Sequence, residues 1–184
     1  MTKVFVCGIK GRMGTIIAQM VKENPNLELA GGIDITEGET CGVKVVTTPN
    51  LAAFIDEVKP DVMIDFTVAA ATMQNAKIAA EKGVNLVIGT TGFSEEQETE
   101  LKAAVKNVAV VKTTNFSMGV NIFWELVRDA AKRLGAEYDI EVIEAHHRHK
   151  KDAPSGTAKT ILRILEEETG KTEEMYGRCG MTER

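Results

Sequence analysis

Cysteine is scarce. Cys7, Cys41 and Cys179 stand far apart, are odd in number and form no CxxC pair. That excludes a disulfide framework and reads as reduced thiols in a cytoplasmic protein, with Cys7 buried in a strand. No signal-peptide pattern opens the chain, and no apolar run reaches transmembrane length. Positive charge is short as well: the net charge of −5 argues against general nucleic-acid or membrane binding. Disordered linkers, internal repeats and low-complexity tracts are missing. What is there, 184 residues at 43% hydrophobic and 27% charged content, suits a globular chain with a real core in one or two domains.

Lys3-Val4-Phe5-Val6-Cys7 reads as a short apolar strand, and Gly8-Ile9-Lys10-Gly11-Arg12-Met13-Gly14 follows at once. Met13, Ile16, Ile17, Met20 and Val21 then share one helical face. Strand, glycine loop and helix in that order cradle a pyrophosphate. The spacing is GxxGxxG rather than GxGxxG, so a tight turn that merely needs glycine competes with that reading. Asp34 favours the nucleotide. It ends a strand over Leu27 to Ile33, where a carboxylate accepts from an adenosine ribose hydroxyl. Ile35 beside it supplies no cation for a 2′-phosphate, which tilts the cofactor toward NADH; Arg12 can still serve a phosphate.

Further elements alternate. Val43 to Thr47 reads as a strand after the loop Thr36 to Gly42, Leu51 to Val58 as a helix before Pro60, and Asp61 to Phe66 as a buried strand with Thr67 at its end. Ala69 to Lys82 is helical and closed by Gly83; Val84 to Ile88 is a strand leading to Gly89-Thr90-Thr91-Gly92. Ser94-Glu95-Glu96-Gln97 is a capping box for a helix to about Lys106, and the strand Val108 to Lys112 leads to Thr113-Thr114-Asn115-Phe116-Ser117. This is an α/β pattern: a Rossmann-like parallel sheet with helices on both faces. Such sheets bind ligands outside the carboxyl ends of their strands. Ordinary turn chemistry explains each threonine loop alone, but not their gathering on one edge with Asp34 and the glycine loop.

Val120, Phe123, Trp124, Val127, Ala131 and Leu134 keep helical spacing and read as core. The alternating run Tyr138 to Ile143 predicts a strand, and Ala158, Ile161, Leu162 and Leu165 predict a helix stopped by Gly170. Between them His146, His147, Arg148, His149, Lys150 and Lys151 crowd into one loop. Like charges repel, so the cluster makes sense around a multiply charged anion rather than as a plain solvated surface. Imidazole and ammonium groups there suit proton transfer. Ser155-Gly156-Thr157 offers backbone N–H groups and a hydroxyl at the next helix start, which also favours an anion. A metal site is the competing reading, since His-His-x-His offers three nitrogens, although no cysteine or HExxH pattern joins them.

Taken together, the glycine loop, Asp65-Phe66-Thr67, Val87 to Phe93, Asn115 to Asn121 and above all Glu144 to Thr157 resemble the dihydrodipicolinate reductase family, along essentially the whole chain. The resemblance implies a dinucleotide-binding Rossmann domain over residues 1–117 and part of an α+β substrate domain over 118–184. It implies NAD(P)H-dependent reduction of a cyclic unsaturated dicarboxylate, 4-hydroxy-tetrahydrodipicolinate to tetrahydrodipicolinate, in diaminopimelate and lysine biosynthesis. His146 matches the family's proton donor and acceptor, Lys150 its second proton donor and His147 a substrate contact. Gly156 and Thr157 match the helix start that holds a substrate carboxylate. Gly8, Ile9, Lys10, Gly11, Arg12, Met13, Asp34, Gly89, Thr90, Thr91, Thr113, Thr114, Asn115 and Phe116 match the dinucleotide contacts. The cofactor implied is NADH or NADPH, with NADH favoured, and no metal. The partner is a small-molecule dicarboxylate. Family chains run on into further strands that build a homotetramer, so this chain reads as truncated and its oligomeric state as open. A non-catalytic dinucleotide-binding fragment is the alternative.

Overall fold

A computed structural model describes residues 1–148, 150, 153–171 and 173–177. His149, Lys151, Asp152 and Cys179 lie outside the described residues. The chain divides into two units, Met1–Thr114 and Asn115–Arg184.

In the first unit seven strands form one sheet: β1 (Thr2–Cys7), β2 (Leu27–Ile33), β3 (Gly38–Thr40), β4 (Val43–Val46), β5 (Val62–Asp65), β6 (Asn85–Ile88) and β7 (Val110–Lys112). Their order is β3-β4-β2-β1-β5-β6-β7. Every neighbouring pair is parallel except β3 with β4. Helices α1 (Arg12–Glu23), α2 (Leu51–Val58), α3 (Ala69–Glu81) and α4 (Glu95–Ala104) occupy the connections. The chain runs outward from β1 to β2 and β4, then returns to the other side of β1 for β5. That reversal is the switch point at which open α/β sheets bind ligands.

Alternation along β1 decides what covers each face. Val4 and Val6 pack with Ile9, Val45 and, from α1, Ala18 and Val21. Phe5 and Cys7 point the other way, into a larger core with Phe54 of α2, Met73 of α3 and Leu101 at the end of α4. Helices therefore cover both faces.

Two local readings change. Met13, Ile16 and Met20 are 46–63% exposed, whereas Gly14, Ala18 and Val21 form the buried side of α1. A Cβ on Gly14 would lie 2.0 Å from the Gly8 carbonyl oxygen, so α1 meets the sheet through its smallest residue. The segment after Ile35, expected as loop, contains β3. Its antiparallel pairing from Gly38↔Val45 to Thr40↔Val43 covers the edge of β4.

The second unit contains α5 (Met118–Leu134) and α6 (Gly156–Thr169). Asn115 Nδ2 donates to Thr157 Oγ1 at 3.4 Å, and Arg128 bonds Glu168 at 2.6 Å and Glu167 at 3.1 Å. One bridge joins the two helix starts and the other joins later turns of both, so α5 and α6 run parallel with their N-termini together. The stripe along α5 is core only in part. Trp124 and Ala131 are buried and Val120 and Val127 half-buried, but Phe123 and Leu134 are each 49% exposed. On α6, Ala158 and Ile164 are buried, while Ile161, Leu162 and Leu165 are half-buried. The strand expected over Tyr138 to Ile143 does not form; these residues are exposed and pair with no described strand. A strand needs a partner for its N–H and C=O groups, and alternation alone cannot provide one. No helix among the described residues is long and apolar enough to cross a membrane.

Phe5 is fully buried with its ring edge-on to Phe54, centroids 5.9 Å apart. Phe5→Ala should lower the urea-unfolding free energy of the first unit by about 3–5 kcal/mol. Ile35, 92% exposed, is the control. Ile35→Ala should stay within about 0.5 kcal/mol, and equal losses in the two variants would contradict this core.

Candidate functional site

The glycine turn is built from backbone. Gly8 adopts φ +66, a conformation that side chains resist, and its N–H donates to Ile33 O at 2.8 Å. Gly11 N–H closes the turn on Gly8 O at 2.9 Å. Gly11 is also the N-cap of α1, without a side-chain cap and without an acidic residue in the first turn. The first N–H groups of α1 have no partner within the helix and face an end that favours an anion. Ile9 is fully buried, its N–H donating to Ile33 O at 3.3 Å and its carbonyl accepting from the Thr15 hydroxyl at 3.1 Å, so it braces the turn from within.

Asp34 stands where β2 ends. Its Oδ2 accepts from Lys10 N–H at 2.9 Å and its Oδ1 from Ile35 N–H at 2.8 Å. Each carboxylate oxygen keeps acceptor capacity for a ribose hydroxyl. The Lys10 ammonium bonds Thr36 O at 2.8 Å, Thr36 Oγ1 at 3.0 Å and Glu37 O at 3.0 Å. Lys10 thus ties the glycine loop to the chain after β2, its charge committed to protein oxygens. Arg12 is exposed beside it.

At the end of β6, Thr90 is 3% exposed and its hydroxyl donates inward to Asp65 Oδ1 at 3.1 Å. Thr91 is exposed. Gly89 N–H donates to Asp65 O at 2.8 Å, and a Cβ on Gly89 would fall 2.1 Å from the Phe66 ring. Thr113 N–H donates to Ile88 O at 3.2 Å and, with Thr114, follows β7. In the first unit the structure therefore gathers Gly8, Asp34, Thr67, Gly89 to Thr91 and Thr113-Thr114 at the carboxyl ends of parallel strands. Cys7, beside Asp65 across the β1–β5 pairing, is buried. Burial first and the Asp65 charge second push its thiol well above the usual range, which rules it out as a nucleophile.

In the second unit the pivot is Glu144. Its Oε2 lies 2.7 Å from His146 Nε2, and its Oε1 accepts from Ser155 N–H at 2.9 Å. Ser155 caps α6, its hydroxyl accepting from Ala158 N–H at 3.1 Å. One carboxylate therefore orients the histidine and fixes it to the start of α6. The Ser155 hydroxyl foremost, then the His146 ring and the Ser155 amide, hold the Glu144 carboxyl down to about 2. His147 is exposed, its carbonyl accepting from Lys150 N–H at 3.1 Å; Lys150 is half-buried. Gly156 and Thr157 open α6, and Asn115 bonds both Thr157 and, through Oδ1 at 2.8 Å, Ser117 N–H ahead of α5. Phe116 is 43% exposed. Asn115, Thr157 and the two helix starts form one polar corner. Among the described residues no group of three His, Cys, Asp or Glu is placed to hold a metal, and His149 lies outside them.

Glu144, Asp65 and Thr72 carry structural roles that sequence reasoning left unassigned. The available signals were a carboxylate inside an otherwise apolar strand and another opening the histidine loop.

The description "Dihydrodipicolinate reductase, N-terminus" matches residues 2–116, and "Dihydrodipicolinate reductase, C-terminus" matches residues 119–182. A 4-hydroxy-tetrahydrodipicolinate reductase of Methanocorpusculum labreanum is 75% identical over 184 residues, which is 100% of this chain and 73% of that protein. One of Methanoculleus marisnigri is 59% identical over 185 residues, with the same two coverages. Among solved structures, the dipicolinate-bound dihydrodipicolinate reductase of Paenisporosarcina sp. TG-14 superposes with a TM-score of 0.77 at 28% identity, over 99% of this chain and 72% of that one.

The Glu144 bonds generate a pH dependence. Its carboxyl is lowered from 4.5 to about 2, so the tie to Ser155 and His146 is complete above 4.5 and is lost as pH falls toward about 2. The Ser155 amide proton, followed by NMR, should titrate with a midpoint near 2, and that step should vanish in Glu144→Gln. A midpoint near 4.5 would show the tie to be absent.

Proposed function

The chain belongs to the dihydrodipicolinate reductase family, and from that premise we propose how its residues reduce 4-hydroxy-tetrahydrodipicolinate with a pyridine nucleotide. The observation that carries the reading is the Glu144 carboxylate shared by His146 and the start of α6. It puts a proton-transferring ring beside a helix N-terminus suited to a substrate carboxylate.

The first unit fits the dinucleotide. Gly11 caps α1 without a side chain, so the first N–H groups of the helix stay open to a pyrophosphate. Asp34 fits the ribose. We favour NADH: Ile35 places no cation beside Asp34, and the Lys10 ammonium is held by Thr36 and Glu37. A 2′-phosphate would also bring negative charge toward the Asp34 carboxylate. Thr91, Thr113 and Thr114, with the main chain of Gly89 and Thr90, complete the cofactor side of the first unit.

A reduced nicotinamide, when bound, supplies the hydride. The residues of the second unit handle charge and protons. Gly156 and Thr157 receive one carboxylate of the dicarboxylate, and His147 contacts the substrate. Loss of the 4-hydroxyl as water gives dihydrodipicolinate, with its conjugated double bond. As reduction of that bond drives negative charge toward the ring nitrogen and carboxylate, the Lys150 ammonium stabilises it. His146 returns a proton, its ring held by Glu144.

Absorbance of NADH, followed while the chain meets enzymatically generated substrate, tests the reaction. His146→Ala and Lys150→Ala should each lower kcat about 10²-fold or more while NADH affinity stays nearly unchanged. Full turnover in both variants would remove these residues from the mechanism. In the same assay kcat/KM should be higher with NADH than with NADPH; the reverse order would refute the role given to Asp34 and Ile35.

A further inference from the structure

Deepest in the first unit lies a cluster that the reaction chemistry does not use. Asp65 is 1% exposed at the last position of β5, and Thr72 on α3 is fully buried. Four donors lie within reach of one oxygen, Asp65 Oδ1: Thr67 N–H at 2.9 Å, Thr67 Oγ1 at 2.6 Å, Thr72 Oγ1 at 3.1 Å and Thr90 Oγ1 at 3.1 Å. Thr72 and Thr90 are themselves 2.8 Å apart, oxygen to oxygen, and Thr67 N–H also reaches Thr90 Oγ1 at 3.0 Å. One proton arrangement satisfies the set. Thr67 and Thr90 donate to Asp65, Thr72 donates to Thr90, and the Thr67 amide is shared. Asp65 Oδ2 has no N–H or O–H donor among the described residues, and the buried Cys7 thiol adjoins this carboxyl across the β1–β5 pairing.

The cluster reaches three ligand loops at once. Thr67 packs on the glycine turn, where a Cβ on Gly8 would meet Thr67 Cγ2 at 2.8 Å. Phe66, next to Asp65, covers Gly89 so closely that a Cβ there would strike its ring at 2.1 Å. Thr90 holds the turn after β6 from beneath. A shift of Thr90 or Thr67 therefore moves Gly89 to Thr91 and Phe66, which stand across β1 from the Asp34 end of the sheet.

We propose that Asp65 and Thr72 are positioning residues that set the Phe66-Thr67 and Gly89-Thr90-Thr91 turns for the nicotinamide half of the dinucleotide, leaving the adenosine half to the glycine loop and Asp34. This rests on the dinucleotide reading above. No ligand reaches Thr72, because its side chain is sealed between α3 and the sheet; it acts through Thr90 and Asp65.

The test separates the two halves of the cofactor. Calorimetry on the full chain would compare NADH with ADP-ribose, which lacks nicotinamide, for wild type, Thr72→Val and Thr72→Ser. Thr72→Val keeps the shape but removes the hydroxyl. It should weaken NADH about tenfold while ADP-ribose changes less than about twofold, and Thr72→Ser should restore NADH binding. Equal weakening of both ligands would mark a purely structural hydroxyl and overturn the proposal, as would unchanged NADH affinity in Thr72→Val. If wild type itself bound neither ligand, the dinucleotide reading would fall first, and this inference with it.

Discussion

No side chain fits between the first turn of α1 and the end of β1, and much of the first unit follows from that contact. A Cβ on Gly14 would sit 2.0 Å from Gly8 O. Glycine there lets the helix meet the strand end directly. The approach turns Ala18 and Val21 inward, leaves Met13, Ile16 and Met20 in solvent, and aims unpaired N–H groups across the turn. A second close contact of the same kind, a Cβ on Gly32 at 2.7 Å from Ile9, seats the buried Ile9 side chain on β2. The backbone of the turn is thus held from below by core packing and from above by Asp34, which binds Lys10 N–H.

Carboxylates then do most of the organising. Asp34, Asp65 and Glu144 each join segments distant in sequence: the glycine loop to the end of β2, the β5 end to α3 and the β6 end, and the histidine loop to α6. Each accepts from backbone N–H groups, where ionised acceptors form stronger hydrogen bonds than neutral ones. They differ in burial and therefore in use. Asp34, half-buried, keeps capacity for a ligand, whereas Asp65 is buried and its Oδ1 is taken up by Thr67 and Thr90.

The second unit is organised differently. Its two parallel helices are clamped by Arg128 at one end and by Asn115 with Thr157 at the other. Parallel helices add their N-terminal partial charges at one corner, where a dicarboxylate would be attracted from either side. The apolar face of α5 is only partly covered, with Ile122 54% and Leu126 63% exposed.

The sequence by itself determined the elements whose cause is local. The strand, glycine turn and helix at the N-terminus, the Ser94-Gln97 capping box and the Gly83 and Gly170 helix ends all appear at the expected places. Composition, turn chemistry and capping act over a few residues, so the chain states them directly. Tertiary structure decided what depends on a distant partner. Periodicity could not say which side of α1 would be buried, because the Gly14–Gly8 contact outweighs the hydrophobicity of Met13 and Ile16. Alternation over Tyr138 to Ile143 did not make a strand, because these residues pair with no strand among the described residues. Nor could motif position reveal that the Thr90 hydroxyl turns inward to Asp65, or that Glu144 joins His146 to α6. Those bonds span residues far apart in sequence or facing another element, and only the packed chain sets which donor reaches which acceptor.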